Sequence, residues 1–287
     1  MTTRSGTREL DVDAGSGLTL HVVGRGAGPP LLLLHGFTGS TETWTPLAPR
    51  LTGGHRVIAV DLPGHGLSSA PSDSGRYALD RFADDLVRVL DDLSIDRVAL
   101  LGYSMGGRAG LRFALAHGDR LAALILESTS PGIPNPQLRH ERILADQMLA
   151  DAIERDGIEA FVDRWERLPL WESEDKLPGS VRLRLRTQRL ANTAIGLANS
   201  LRGAGAGVDM SVLDRLGEIQ APVLVVAGAL DSRYVELGQT MVSSIPNARM
   251  VVVPGSGHAV HLEQPEALTD SVVSFLHGLP SDGGRWL

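Results

Sequence analysis

The chain has 287 residues, 43% hydrophobic and 21% charged, with no cysteine; at this length a core can bury roughly three quarters of the surface of the unfolded chain without disulfide or metal support. The absence of cysteine excludes thiol nucleophiles, disulfides and zinc-thiolate sites, so serine, histidine and the carboxylates must carry any chemistry. With 27 basic against 34 acidic side chains and a formal net charge of −7, the chain is a poor prospect for a nucleic acid partner, which requires a concentrated positive face.

In chain order, the opening MTTRSGTREL carries no apolar run of signal-peptide type, and nowhere do enough apolar residues follow one another to span a bilayer. A soluble, cytoplasmic protein with no membrane contact is expected. Short runs rich in Val, Ile and Leu at 18–23, 31–34, 56–60, 97–101, 121–126, 222–227 and 249–253 end in glycine or turn residues. Several are apolar on both faces, as parallel strands covered by helices on each side must be. Between them, 78–93 has Phe82, Leu86, Val89, Leu90 and Leu93 at helical spacing. This alternation predicts an α/β fold with a mostly parallel central sheet flanked by helices. It stops near Ser130, where Pro131, Pro134 and Pro136 break the chain, and resumes near Ala221. The expected organisation is a core of 1–129 and 211–287 with an inserted helical cap, 130–210, over the strand ends where ligands bind. The tail from Pro280 to Leu287 is expected to fray.

Gly102-Tyr103-Ser104-Met105-Gly106 is a GxSxG pentapeptide between the strand 97–101 and a helical stretch, 107–117. Such a turn holds the serine on a strained backbone, and side chains at the glycine positions would collide with the neighbouring strand and helix. A hydroxyl needs a base, and the base an orienting acid. Asp231 follows the strand 222–227 and His258 the strand 249–253, so Ser104, Asp231 and His258 can converge on one rim of the sheet. Glu127, ending the strand 121–126, is an alternative acid; His261 is an alternative base. His65 reads as a structural loop residue. His35-Gly36-Phe37 follows the strand 31–34, so the backbone N–H groups of Phe37 and Met105 can face a developing oxyanion. The layout resembles the α/β-hydrolase superfamily over nearly the whole chain.

Lys176 is the only lysine, and between 176 and 208 six basic residues (Lys176, Arg182, Arg184, Arg186, Arg189 and Arg202) stand without one carboxylate. Arg182, Arg186 and Arg189 share a helix face; Arg139 and Arg142 form another pair, and Arg108 lies one turn after Ser104. These arginines suit either a solvated face with salt bridges or a pocket for a substrate with several carboxylates.

Four stretches resemble one family: Gly102-Tyr103-Ser104-Met105-Gly106-Gly107-Arg108; Leu126-Glu127-Ser128-Thr129-Ser130-Pro131-Gly132; Phe161-Val162-Asp163-Arg164-Trp165-Glu166 with Leu168-Pro169-Leu170; and Gly196-Leu197-Ala198-Asn199-Ser200-Leu201-Arg202-Gly203. They are similar to 2-succinyl-6-hydroxy-2,4-cyclohexadiene-1-carboxylate synthases of menaquinone biosynthesis. The resemblance implies elimination of pyruvate from a cyclohexene bearing three carboxylates, without cofactor or metal. It also implies that Arg108, Arg142 and Arg186 bind anions, with Tyr103 and Trp165 lining the pocket. Where that family usually continues with a threonine in a Gly-x-Gly-x-Gly turn, this chain has Gly203-Ala204-Gly205-Ala206-Gly207. Two other readings use the same residues: a carboxylesterase or carbon–carbon bond hydrolase acting on an acidic substrate, and a non-catalytic binding protein that kept the fold.

Overall fold

The computed structural model describes residues 2–4 and 6–279; the tail from Pro280 lies outside them. Nine strands form one sheet: β1 (Thr2–Arg4), β2 (Thr7–Asp13), β3 (Thr19–Arg25), β4 (Pro30–Leu34), β5 (Arg56–Val60), β6 (Val98–Tyr103), β7 (Leu121–Glu127), β8 (Val223–Gly228) and β9 (Ala248–Val253), in the order β1-β2-β3-β5-β4-β6-β7-β8-β9. From β5 to β9 every pairing is parallel, and β1, β2 and β3 add an antiparallel edge.

The apolar runs are strands because both of their faces are covered. Leu32 and Leu34 of β4 pack into one buried cluster with Phe82, Leu86, Val89, Leu111 and Phe113, while Leu31 and Leu33 pack into another with Trp44, Leu47, Leu51, Val272 and Phe275. The two-residue period of a strand sends alternate leucines to opposite layers. One layer holds α2 (Leu79–Asp92), α3 (Met105–Ala116) and α7 (Ser232–Ser244), the last through Met241; the other holds α1 (Ala48–Leu51), with the short α8 (Val260–Glu263) and α9 (Pro265–His277). β2 has no apolar run to announce it. Only Val12 is buried in Thr7–Asp13, and the segment is a strand because it pairs with β3 along its whole length.

Between β7 and β8 the described chain is helical: α4 (Pro136–Trp165), a 3-10 segment Pro169–Lys176, α5 (Gly179–Leu190) and α6 (Ala194–Ala204). Gly157, at φ 85°, breaks α4 in two, a backbone that suits glycine. α4 and α6 share a small core of their own, Ala150, Ile153, Phe161, Val162, Leu197, Ala198 and Leu201. No helix among the described residues is long and apolar enough to cross a membrane.

Candidate active site

Ser104 is the residue between β6 and α3, with φ 52° and ψ −108°. Close packing imposes the flanking glycines: a Cβ on Gly102 would lie 2.3 Å from the Gly106 carbonyl oxygen, and one on Gly106 would lie 2.2 Å from that of Leu34. The strained turn is pinned by the Ser104 N–H donating to the Glu127 carbonyl at 2.8 Å and by the Thr129 hydroxyl donating to the Ser104 carbonyl at 2.6 Å.

The hydroxyl meets His258, whose Nε2 lies 3.1 Å from Ser104 Oγ. On the other side of the ring, His258 Nδ1 lies 2.9 Å from Asp231 Oδ2. The second carboxylate oxygen of Asp231 accepts the Tyr234 N–H at 3.3 Å and caps α7, so one side chain starts a helix and orients the imidazole. Tyr103 and Tyr234 pack against the His258 ring at centroid distances of 5.4 and 4.5 Å, and Trp171 meets it edge-on at 5.5 Å. Burial raises the Tyr103 phenol well above its ordinary range, with nearby Glu127 adding to the rise.

The alternative acid and base pair with each other. His261 Nδ1 and backbone N–H both lie 2.8 Å from Glu127 Oε1, with side-chain exposures of 2% and 0%. The Tyr103 ring stands edge-on to His261 at 4.4 Å.

The loop after β4 is held by buried imidazoles. His35 accepts the Leu62 N–H through Nε2 at 3.0 Å, while Nδ1 lies 2.7 Å from the Gly36 carbonyl, a pattern that fits the neutral ring with its proton on Nδ1. Burial lowers its pKa to about 4. His65, whose pKa burial lowers to about 3 with His35 adding to the drop, packs 5.2 Å from His35 and 5.8 Å from Phe37. The amides of Phe37 and Met105 donate to no protein acceptor among the described residues.

Ser104, His258 and Asp231 open into a cavity of about 280 Å³, walled by core loops on one side and by the helical segment on the other. Phe37, Tyr103, Met105, Arg108, Arg142 and Trp165 line it, as do Asp146, Trp171, Ala206, Arg233 and Tyr234. Arg108 is held by Asp209 Oδ2 at 3.0 Å and by the Ala204 carbonyl at 2.7 Å; Arg142 Nε donates to Asp146 Oδ1 at 2.8 Å.

Arg186 departs from the expectation. It lines a second cavity that shares only Trp171 with the first, and its guanidinium donates to Glu166 and Asp163 at 2.7 Å each. Its place on α5 and its pairing with Asp163 and Glu166, which flank Trp165 in sequence, put it in the lining of that second cavity and not of the Ser104 cavity. Arg189 is likewise engaged by Glu166 and Glu174, and Arg202 by Asp151 and Glu154. Three arginines of the stretch without acids in sequence, Arg186, Arg189 and Arg202, are therefore matched in space by acids of α4, by Glu166 just after it and by Glu174.

Sequence reasoning missed Asp146, Trp171, Arg233 and Tyr234. Of these, Arg233 and Tyr234 carried a signal, since both fall in the first turn after Asp231, one of the three residues expected to converge on one rim of the sheet.

Comparison with known proteins identifies the family. A family model described as alpha/beta hydrolase fold matches residues 29–265. A Bacillus subtilis (strain 168) protein provisionally named 2-succinyl-6-hydroxy-2,4-cyclohexadiene-1-carboxylate synthase is 42% identical over 94% of this chain and 98% of its own length. A Salmonella paratyphi C synthase of the same name is 30% identical over 89% of this chain and 97% of its own. The solved structure of MenH from S. aureus superposes with a TM-score of 0.85 at 32% identity, covering 96% of this chain and 98% of that one. The chain belongs to the α/β-hydrolase fold family and, within it, to the 2-succinyl-6-hydroxy-2,4-cyclohexadiene-1-carboxylate synthases.

Proposed function

We propose that the protein is a lyase that eliminates pyruvate from 2-succinyl-5-enolpyruvyl-6-hydroxy-3-cyclohexene-1-carboxylate, giving 2-succinyl-6-hydroxy-2,4-cyclohexadiene-1-carboxylate in menaquinone biosynthesis. The observation that carries this reading is a hydrogen-bonded Ser104–His258–Asp231 chain opening into a cavity whose lining includes three arginines, Arg108, Arg142 and Arg233. Family membership supplies the substrate. On this reading 130–210 is a cap, the enzyme is cytoplasmic, and the reaction uses side chains without cofactor or metal.

His258, oriented by Asp231, draws the proton from Ser104 Oγ, and the oxygen takes a carbon-bound proton from the ring. The C–H electrons form a ring double bond as charge moves through the conjugated system, the C–O bond to the enolpyruvyl group breaks, and the departing enolate recovers a proton from His258 to become pyruvate. The Phe37 and Met105 amides, free of other acceptors, stabilise the enolate-like charge. No acyl-enzyme forms. Tyr103 and Trp165 shape the cavity, and Arg108 and Arg142 bind substrate carboxylates; their own partners, Asp209 and Asp146, fix the direction of each fork.

The test is to incubate purified protein with the enolpyruvyl substrate and follow pyruvate. Release that Ser104→Ala abolishes is expected. Fast hydrolysis of a simple aryl ester with no pyruvate release would instead support the hydrolase reading.

A further inference from the structure

We propose that Arg233 is a specificity-determining residue that binds a substrate carboxylate at the mouth of the Ser104 cavity. The inference rests on the polycarboxylate reading of that site. Three arginines line the cavity: Arg108, Arg142 and Arg233. The first two already hold protein carboxylates, Asp209 and Asp146. Arg233 is exposed, and its guanidinium makes no hydrogen bond or ion pair with any described residue. An incoming carboxylate therefore displaces no protein acid from this guanidinium, and its planar fork suits bidentate capture.

Position fixes what the side chain can reach. Arg233 is the second residue of α7 and lies two residues after Asp231, whose carboxylate caps that helix by accepting from Tyr234 N–H. The same carboxylate holds His258. The backbone bearing Arg233 is thus tied to the catalytic hydrogen-bond chain rather than to a free loop. Its charge is felt inside the cavity: burial raises the Tyr234 phenol, and Arg233 is the largest influence opposing that rise. With Arg186 committed to Asp163 and Glu166 outside the cavity, Arg233 completes a set of three arginines for a substrate with three carboxylates.

The experiment compares wild type, Arg233→Ala, Arg233→Lys and Arg182→Ala in the full chain. Arg182 is the control because it is also exposed and its side chain has no partner among the described residues, but it lines the second cavity. Two readouts are taken: kcat and KM for pyruvate release, and the calorimetric Kd of propane-1,2,3-tricarboxylate. Loss of a charge-assisted contact predicts that Arg233→Ala raises both KM and Kd by about ten- to a hundredfold, with kcat changed only a few-fold. Arg233→Lys should recover part of the loss, and Arg182→Ala should match wild type. Unchanged KM and Kd in Arg233→Ala, or equal changes in Arg182→Ala, would overturn the proposal, as would a collapse of kcat alone. A wild type that binds the tricarboxylate through Arg233 but releases no pyruvate would refute the lyase reading and leave this inference standing.

Discussion

His258 and His261 stand three residues apart and end in different chemistry, because each Nδ1 meets a different carboxylate at the end of a neighbouring strand: Asp231 after β8 and Glu127 at the end of β7. The GxSxG turn, the loop aspartate and the glycine-flanked histidine were legible because each follows an apolar run. Which histidine faces which acid depends on tertiary packing that spacing does not encode. The two variants should separate cleanly. His258→Ala is expected to abolish turnover with little change in stability, whereas His261→Ala removes the side-chain partner of the buried Glu127, leaving it the residue 261 backbone N–H, and should cost about 1–3 kcal/mol in denaturant unfolding. A His261→Ala protein as stable as wild type would contradict this division. At the turn, Gly106→Ala forces a Cβ against the Leu34 carbonyl oxygen; misfolding, or unfolding at a much lower denaturant concentration, is the expected result.

Strands with two buried faces declared themselves in sequence, and the match of 56–60 to β5 is complete. The two outermost strands of the antiparallel edge, β1 and β2, did not. Thr7–Asp13 alternates polar residues around a single buried valine, so only pairing with β3 identifies it. The arginine-rich stretch illustrates the complementary difficulty, since its partners lie on other elements. Arg189 of α5, almost fully buried, bridges Glu166 and Glu174 and packs its guanidinium over Trp171 at 5.3 Å. Burial raises the Glu174 carboxyl, with Arg189 opposing the rise. Removing the cation leaves that acid uncompensated, so Arg189→Ala should destabilise the protein by roughly 3–5 kcal/mol. The double variant Arg189→Met with Glu174→Leu should lose much less, because neither charge is left alone. Equal losses in chemical denaturation would show that the pair matters through packing rather than charge.

Across the molecule, the two buried imidazoles behind the Phe37 loop couple stability to pH. His35 and His65 resist protonation in the fold, with pKa values lowered to about 4 and about 3, whereas an unfolded histidine titrates near 6.5. Below pH 6.5 the unfolded chain binds protons that the folded chain refuses, so stability falls with pH until the folded pKa values are passed. A tenfold difference in proton affinity between the folded and unfolded chain corresponds to about 1.4 kcal/mol. Asp61 and Glu174, whose carboxyls burial raises, act in the opposite sense at the acid end. Denaturant unfolding between pH 6.5 and 5 should therefore show falling stability, with a shallower slope in His65→Asn; an equal slope would show that His65 plays no part in the pH dependence. Protonation of His35 would also break its acceptance of the Leu62 N–H and loosen the loop that carries the Phe37 amide.

The most direct measurement is pyruvate release from 2-succinyl-5-enolpyruvyl-6-hydroxy-3-cyclohexene-1-carboxylate, compared between wild type and Ser104→Ala. Wild type is expected to give stoichiometric pyruvate with appearance of the cyclohexadiene product, and the variant to lose at least about a thousandfold in rate. Pyruvate release that survives Ser104→Ala, or none from wild type, would contradict a serine-based elimination.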